Sequence, residues 1–329
     1  MRKLPVFEVI KPATEEELLL FRHKYHDRFM FASGFTGIIP EMKKRIYTPE
    51  FLINLAGIIE YNFINYDKES DTLVIGATTT LKSIIDSNII NEYFPGLVDA
   101  CKKVAMPQIR NVATIGGNIC LDTRCFFFNQ SYEWRRGIDK CYKFGGIKCN
   151  AIEGSKRCFA VFAADLPVIL ISVGAKIKIV NEFDEEKIIL LEDFYTGKGK
   201  KPNILKNGEF VKEIIIENIS KKIAFYKKFR LRESIDFSAC SIALSIEKNE
   251  EKIFKNPKVV LGAVESKPVV VALDKILNEK SFNDNNAIDE AISEIEKNAK
   301  PVKNYSSTPF YRKKMTGILF KKIVQENLI

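Results

Sequence analysis

Histidine is nearly absent from this chain: 329 residues hold two, His23 and His26, three positions apart. No Ser-His-Asp constellation and no pair of carboxylates arranged for hydrolysis can be read, so a hydrolase has no direct support. The His-x-x-His pair reads as decoration on a solvated helix face. Long apolar runs are missing too. The start, MRKLPVFEVI, has no apolar segment behind its charges, so no secretory signal is expected there. The most apolar stretch, residues 166–175, is bracketed by Asp165 and Lys176 and falls short of the roughly 20 residues a bilayer requires. A cytoplasmic protein with reduced thiols and no membrane partner is expected. No G-x-G-x-x-G follows a strand, which leaves a Rossmann NAD site without direct support. Repeats and low-complexity segments are also lacking.

What is present fits a folded, multidomain chain. Hydrophobic residues make up 46% and charged residues 28%, too apolar for wholesale disorder, and the length predicts two or three domains. The net charge of +9 is dispersed along the chain. It reads as a lysine-rich compositional habit, with a zinc-stabilised basic RNA-binding module as the alternative from another functional class, although no RNA-binding signature is legible.

Cysteine is the uneven residue. Six of the seven fall between Cys101 and Cys158, and Cys125, Cys141, Cys149 and Cys158 are separated by 15, 7 and 8 residues. An odd count in a reducing compartment argues for metal ligation or core thiols over disulfides. These four contain no close C-x2–4-C pair of the usual structural-zinc kind. Iron–sulfur clusters accept more varied spacing, so zinc, a cluster and plain packing all stay open. Phe126, Phe127, Phe128, Tyr132, Trp134, Tyr142 and Phe144 would exclude water from these thiols. Arg124, Arg135 and Arg136 would offset the charge of an anionic thiolate cluster. Cys101 and Cys240 read as core thiols, and Cys120 lies close enough to Cys125 to be an alternative ligand.

Two glycine turns flank the pattern. Ser33-Gly34-Phe35-Thr36-Gly37 lies between a predicted strand at 29–32 and a helix opening at Ile38, a geometry that aims backbone N–H groups at an anion. Thr114-Ile115-Gly116-Gly117-Asn118 is expected to set bare N–H groups against a pyrophosphate, because glycine permits positive φ and close approach. Elsewhere, Thr14 with Glu17 reads as a capping box and residues 49–55 as a short helix. Strands are expected at 71–77, 175–180 and 208–216, and residues 91–104 follow one amphipathic period. Composition shifts near 198–206, and a separate α+β domain with strands at 239–246 and 258–264 is expected from about residue 219.

Ile75–Leu81 (IGATTTL), Arg110–Cys125 (RNVATIGGNICLDTRC) and Tyr311–Met315 (YRKKM) resemble signatures of the flavoprotein (medium) subunit of the molybdenum hydroxylase family. Nearly the whole chain is covered. The cysteine insertion, ahead of Asp165-Leu166-Pro167, resembles the one that carries a 4Fe-4S cluster in the 4-hydroxybenzoyl-CoA reductase branch. The resemblance implies an α+β fold: an FAD-binding domain over 1–218 (subdomains about 1–58 and 59–218, iron–sulfur insertion 120–162) and a C-terminal domain over 219–329. It implies FAD at Ala32, Ser33, Gly34, Phe35, Thr36, Gly37, Ile38 and Ile39, at Thr114, Ile115, Gly116, Gly117 and Asn118, and beside Val104, Asp165 and Lys228. It implies Cys125, Cys141, Cys149 and Cys158 as cluster ligands, leaving Cys120 out. The implied role is electron transfer within a hetero-oligomer containing a molybdenum large subunit and a 2Fe-2S small subunit, with ferredoxin as external carrier. A xanthine-dehydrogenase-like flavin subunit is the alternative within the family. One departure stands out. The family's first turn begins Gly-Gly-Thr, whereas Phe35 fills the second position here. Phenylalanine resists positive φ, so an intact turn calls for a negative φ there with the ring turned away.

Overall fold

The computed structural model describes residues 3–232, 235–303 and 307–329. Three sheets follow one another along the chain. The first contains β1 (Glu8–Ile10), β2 (Phe29–Ala32) and β3 (Phe51–Asn54), in the order β1-β3-β2 and all parallel. Parallel strands need crossovers. Here they are α1 (Glu15–Tyr25) and α2 (Ile38–Lys43). The α1 start is a variant of the expected capping box. Thr14 accepts from the Glu17 N–H at 3.2 Å, while the Glu17 carboxylate takes the Ala13 N–H at 2.7 Å. The helix expected at 49–55 is strand β3. Leu52 and Ile53 are fully buried between two parallel neighbours, and an apolar run this short carries no period that separates strand from helix.

The second sheet is antiparallel, in the order β4-β5-β10-β6-β7. Its early strands are β4 (Ile64–Asp67) and β5 (Thr72–Gly76). The chain then leaves through α3 (Leu81–Asp86), α4 (Asn88–Tyr93), α5 (Pro95–Lys102), α6 (Pro107–Arg110), α7 (Ile115–Ile119), α8 (Tyr132–Arg136) and α9 (Leu166–Ser172). It returns through β6 (Lys176–Val180), β7 (Glu186–Leu190), a separate hairpin of β8 (Tyr195–Lys198) and β9 (Lys201–Asn203), and β10 (Phe210–Glu217). The single period expected over 91–104 is cut at Phe94, because Pro95 cannot continue α4 and instead opens α5. Phe210 joins the first two sheets, its ring 5.2 Å from that of Phe31 and 5.7 Å from that of Tyr61.

The third sheet is a sequential antiparallel meander of β11 (Lys222–Phe229), β12 (Cys240–Glu247), β13 (Lys258–Gly262) and β14 (Val269–Val271). α10 (Asp274–Leu277), α11 (Asn285–Asn298) and α12 (Pro309–Asn327) follow it. β12 is buried on both faces, against α9 on one side and α12 on the other, so that even Ser241 and Ser245 are buried within it. All seven residues of α9 are buried for the same reason: it lies between α5 and the third sheet. No helix among the described residues is long and apolar enough to cross a membrane.

Candidate functional site

Both glycine turns border one cavity of about 290 Å³. Ala32 and Ser33 line it from the first turn, and Thr114, Gly116 and Gly117 from the second. The turns also touch: a Cβ on Gly34 would lie 1.8 Å from the Val112 carbonyl oxygen, so only glycine lets them meet. Two side chains at the cavity carry buried hydroxyls with no hydrogen-bond partner among the described residues, Ser33 Oγ and Thr78 Oγ1. Both residues border the cavity, so a rotation of either side chain would offer its orphaned hydroxyl to a polar ligand there.

The two turns divide the work differently from the sequence expectation. At the second turn the N–H groups are used internally. Ile115 donates to the Thr79 carbonyl at 3.0 Å, Gly116 to the Ala77 carbonyl at 2.9 Å, Gly117 to Thr114 Oγ1 at 3.2 Å and Asn118 to the Thr114 carbonyl at 3.0 Å. The expected bare N–H groups are therefore absent there. Neither glycine has a positive φ. The lack of a Cβ on Gly116 lets α7 press on the residue that follows β5, since a Cβ there would sit 2.7 Å from Ala77 Cβ. The IGATTTL segment is thus the clamp that holds this turn. Ile115 and Asn118 face inward, and Asn118 Oδ1 accepts the Leu166 N–H at 3.2 Å.

At the first turn, among the described residues, the N–H groups of Gly34, Phe35, Thr36 and Gly37 make no hydrogen bond. Phe35 has a φ of 59°, contrary to the negative value expected, while its side chain does not line the cavity. A left-handed residue in such a turn costs about 1–2 kcal/mol and is how successive N–H groups form an anion-binding nest. Gly34, Phe35, Thr36, Gly37, Ile38 and Ile39, which follow Ala32 and Ser33 in the chain, do not line the cavity. Phe29, Leu55, Ala77, Thr78 and the segment 203–211 do line it, and the sequence reading missed them. The only signal for the last was the Gly/Lys/Asn-rich composition of that stretch.

Asp165 and Lys228 pair with each other, 2.8 Å apart and both buried, and neither lines the cavity. The other Asp165 oxygen accepts from Tyr226 OH at 2.5 Å and Ser238 Oγ at 2.6 Å. Burial and this carboxylate hold the Tyr226 phenol well above its usual pKa, so it remains a donor. The group ties the residue ahead of α9 to the third sheet. Val104 is also off the cavity, its carbonyl taken by Arg110 Nη1 at 2.8 Å.

The cysteine insertion has a closed neck. Arg124 and Val161 exchange both backbone hydrogen bonds, at 2.7 and 2.8 Å. Beyond the neck, Cys125, Cys141, Cys149 and Cys158 line one small cavity of about 10 Å³ with Phe127, Phe128 and Phe159. All four are free thiols. Burial raises the Cys125 and Cys158 thiols, while backbone N–H groups of Phe127 and Phe128 at Cys125, and of Ala160 at Cys158, favour their thiolates. Among the described residues no three His, Cys, Asp or Glu side chains converge as for a single ion. Cys120 borders the glycine-turn cavity instead, with burial pushing its thiol up to about 12. Cys125 is the fifth residue after Cys120, so the chain holds the two cavities' edges within about 18 Å of each other.

Three ties fasten the insertion to the first subdomain. Tyr47 OH meets Asp122 at 2.5 Å, Glu41 meets Arg124 at 3.4 Å and Asn129 at 3.3 Å, and Arg135 Nη2 donates to the carbonyls of Lys44 and Arg45 at 3.0 and 2.9 Å.

Residues 5–217 match the FAD-binding domain of molybdopterin dehydrogenases, and residues 224–327 match the CO dehydrogenase flavoprotein C-terminal domain. The glyceraldehyde dehydrogenase medium chain of Sulfolobus acidocaldarius is 24% identical over 323 residues, 98% of each chain. The xanthine dehydrogenase FAD-binding subunit of Escherichia coli O157:H7 is 48% identical over 88 residues, 27% of this chain and 30% of that one. A chain of Cu,Mo-CO dehydrogenase, cyanide-inactivated, superposes with a TM-score of 0.78 over 98% of both chains at 22% identity. The match of both halves shows that the chain belongs to the FAD-binding medium-subunit family of the CO dehydrogenase/xanthine dehydrogenase molybdenum hydroxylases, as the flavin subunit of an oxidoreductase of that type.

Proposed function

We propose that this subunit carries a 4Fe-4S cluster as well as FAD, and serves electron transfer between an external carrier of the ferredoxin type and the partner subunits of an aryl-CoA reductase resembling 4-hydroxybenzoyl-CoA reductase. The observation that carries the reading is the meeting of Cys125, Cys141, Cys149 and Cys158 at one cavity, although spacing alone left zinc, a cluster and packing open. A zinc ion draws its thiolates to about 2.3 Å from one point, whereas a cubane spreads its four ligands over a larger body. Four thiols that line one cavity without converging as for a single ion, with backbone N–H groups on two of them, fit the second. When bound, FAD and a 4Fe-4S cluster supply the electron-carrying chemistry.

This chain's own residues do the positioning. Ala32, Ser33, Thr114, Gly116 and Gly117 would border the flavin, with the free N–H groups after Ser33 offered to its phosphates and Thr114 Oγ1 holding the second turn in shape. Asp165 and Lys228 would act from the junction with the third sheet, fixing residues 1–218 against 219–329. The substrate would bind on a molybdenum large subunit, with a 2Fe-2S small subunit completing a hetero-oligomer. The second reading, a xanthine-dehydrogenase-like flavin subunit, is supported by the 48% identity over 88 residues to such an enzyme's FAD-binding subunit. The basic RNA-binding alternative gives way to the family match over both halves of the chain.

Anaerobic purification tests the cluster directly. About four irons and four labile sulfides per chain, beside one FAD, are expected. One zinc without sulfide would overturn the cluster and leave the xanthine-dehydrogenase-like reading.

A further inference from the structure

Two cations are buried against one ring beside the four thiols. Phe128 lines their cavity, and its ring centre is 5.5 Å from the Arg135 guanidinium carbon and 5.1 Å from Lys143 Nζ. Arg135 is 2% exposed and the Lys143 side chain 5%. Their circumstances differ. Lys143 has a counter-ion, Asp122, at 2.7 Å, and also donates to the Thr123 carbonyl. Arg135 has no carboxylate within ion-pair distance among the described residues. Its Nη2 goes to two carbonyls, its Nε is buried without a partner among the described residues, and its guanidinium carbon lies 4.5 Å from the Phe144 ring centre. The groups of opposite sign that act on it are Glu41, Cys141, Tyr132 and Glu133.

Burial of a guanidinium, which cannot discharge, is unfavourable unless an anion compensates it. Four thiolates around iron and sulfide form such an anion, and Cys141 is one of them. We propose that Arg135, with Lys143 as its paired companion, is the built-in counter-charge of the cysteine site and raises the reduction potential of the cluster held there. The inference rests on the cluster reading above. Adding one electron makes the loaded site one unit more negative, with no bond made or broken. A fixed cation favours that reduced form, so removing the cation lowers the midpoint. Because the charge is buried, the effect should persist at high ionic strength.

The test uses the full-length chain, purified anaerobically, with iron and sulfide assayed and the midpoint read by electron paramagnetic resonance during reductive titration. Arg135→Met should shift the reduced-to-oxidised ratio about tenfold towards oxidised, a fall of about 59 mV for one electron. Arg135→Lys, and Arg136→Met at the exposed neighbour, should stay close to wild type. Failure of Arg135→Met alone to hold the cluster, with Arg135→Lys loaded, would also support a charge role. A loaded Arg135→Met with the wild-type midpoint would overturn the proposal, as would equal failure of Met and Lys, which marks a purely structural clamp. Absence of labile sulfide in the wild type overturns the cluster reading itself, before any variant is made.

Discussion

Gly34 and Gly37 stand three residues apart in the same turn, and alanine should act on them in opposite directions. At Gly34 a new Cβ lies 1.8 Å from the Val112 oxygen and 2.5 Å from its carbonyl carbon, where ordinary contact begins near 3.4 Å. The obstacle is backbone, held by the Val112 and Ala113 N–H groups, which both donate to the Ile109 carbonyl. The two turns must therefore separate by more than an ångström. Overpacking usually costs about 1–3 kcal/mol, and a backbone obstacle belongs at the upper end. If about 3 kcal/mol falls on the flavin-competent arrangement, affinity drops roughly a hundredfold. At Gly37 the nearest atom to a new Cβ is Leu121 Cδ2 at 3.5 Å, and φ is −88°, which alanine adopts freely. Gly37→Ala should stabilise by about 0.4–1 kcal/mol through the unfolded chain. Flavin per chain, from visible absorbance, and the urea midpoint measure the two effects. Wild-type flavin content and midpoint in Gly34→Ala would refute the reasoning, and so would an equal loss in Gly37→Ala.

Cys141→Ser should lose the iron and keep the flavin, whereas Cys120→Ser should keep the iron; metal and flavin assays on one preparation read both. Lys228→Met should destabilise by about 3–5 kcal/mol because it strands the buried Asp165 carboxylate. Adding Asp165→Asn should recover part of that loss in a denaturant titration. The Asp71 carboxylate is penalised by burial, but bonds from Ser220 and Tyr66 outweigh that and hold its pKa below the ordinary value. Its contribution is complete above its unfolded pKa of about 3.9 and is lost as pH falls into the lower folded value. Asp71→Asn should accordingly be less stable at neutral pH, with the deficit shrinking below about pH 4, as urea midpoints against pH would show.

Elements with a clear period or a cap were legible. The start of α1 and strands β2, β5 and β6 stand where the sequence places them. β3 was not legible, because Phe51-Leu52-Ile53 has no alternation once both flanks are covered. The glycine residues were found for a good reason and given the wrong use: Gly116 is small so that Ala77 can approach, and the free N–H groups lie at Gly34–Gly37. That distribution depends on which carbonyls the fold brings up, Ala77 and Thr79 here, and adjacent sequence does not encode it. The wall from residues 203–211 was missed for the same reason, since it arrives from a hairpin almost a hundred residues downstream. The four cysteines, by contrast, were legible as a group while their chemistry was not.

The two-way pairing of Arg124 with Val161 has a consequence for the ancestry of the chain. Residues that exchange both backbone bonds in antiparallel fashion have α-carbons about 5.5 Å apart. The whole loop therefore departs and returns at adjoining points, and a tight two-residue turn could bridge the same gap. The cysteine-bearing segment is in that sense a detachable module, one that a chain of this fold can acquire or shed without re-routing β5, α7 or α9.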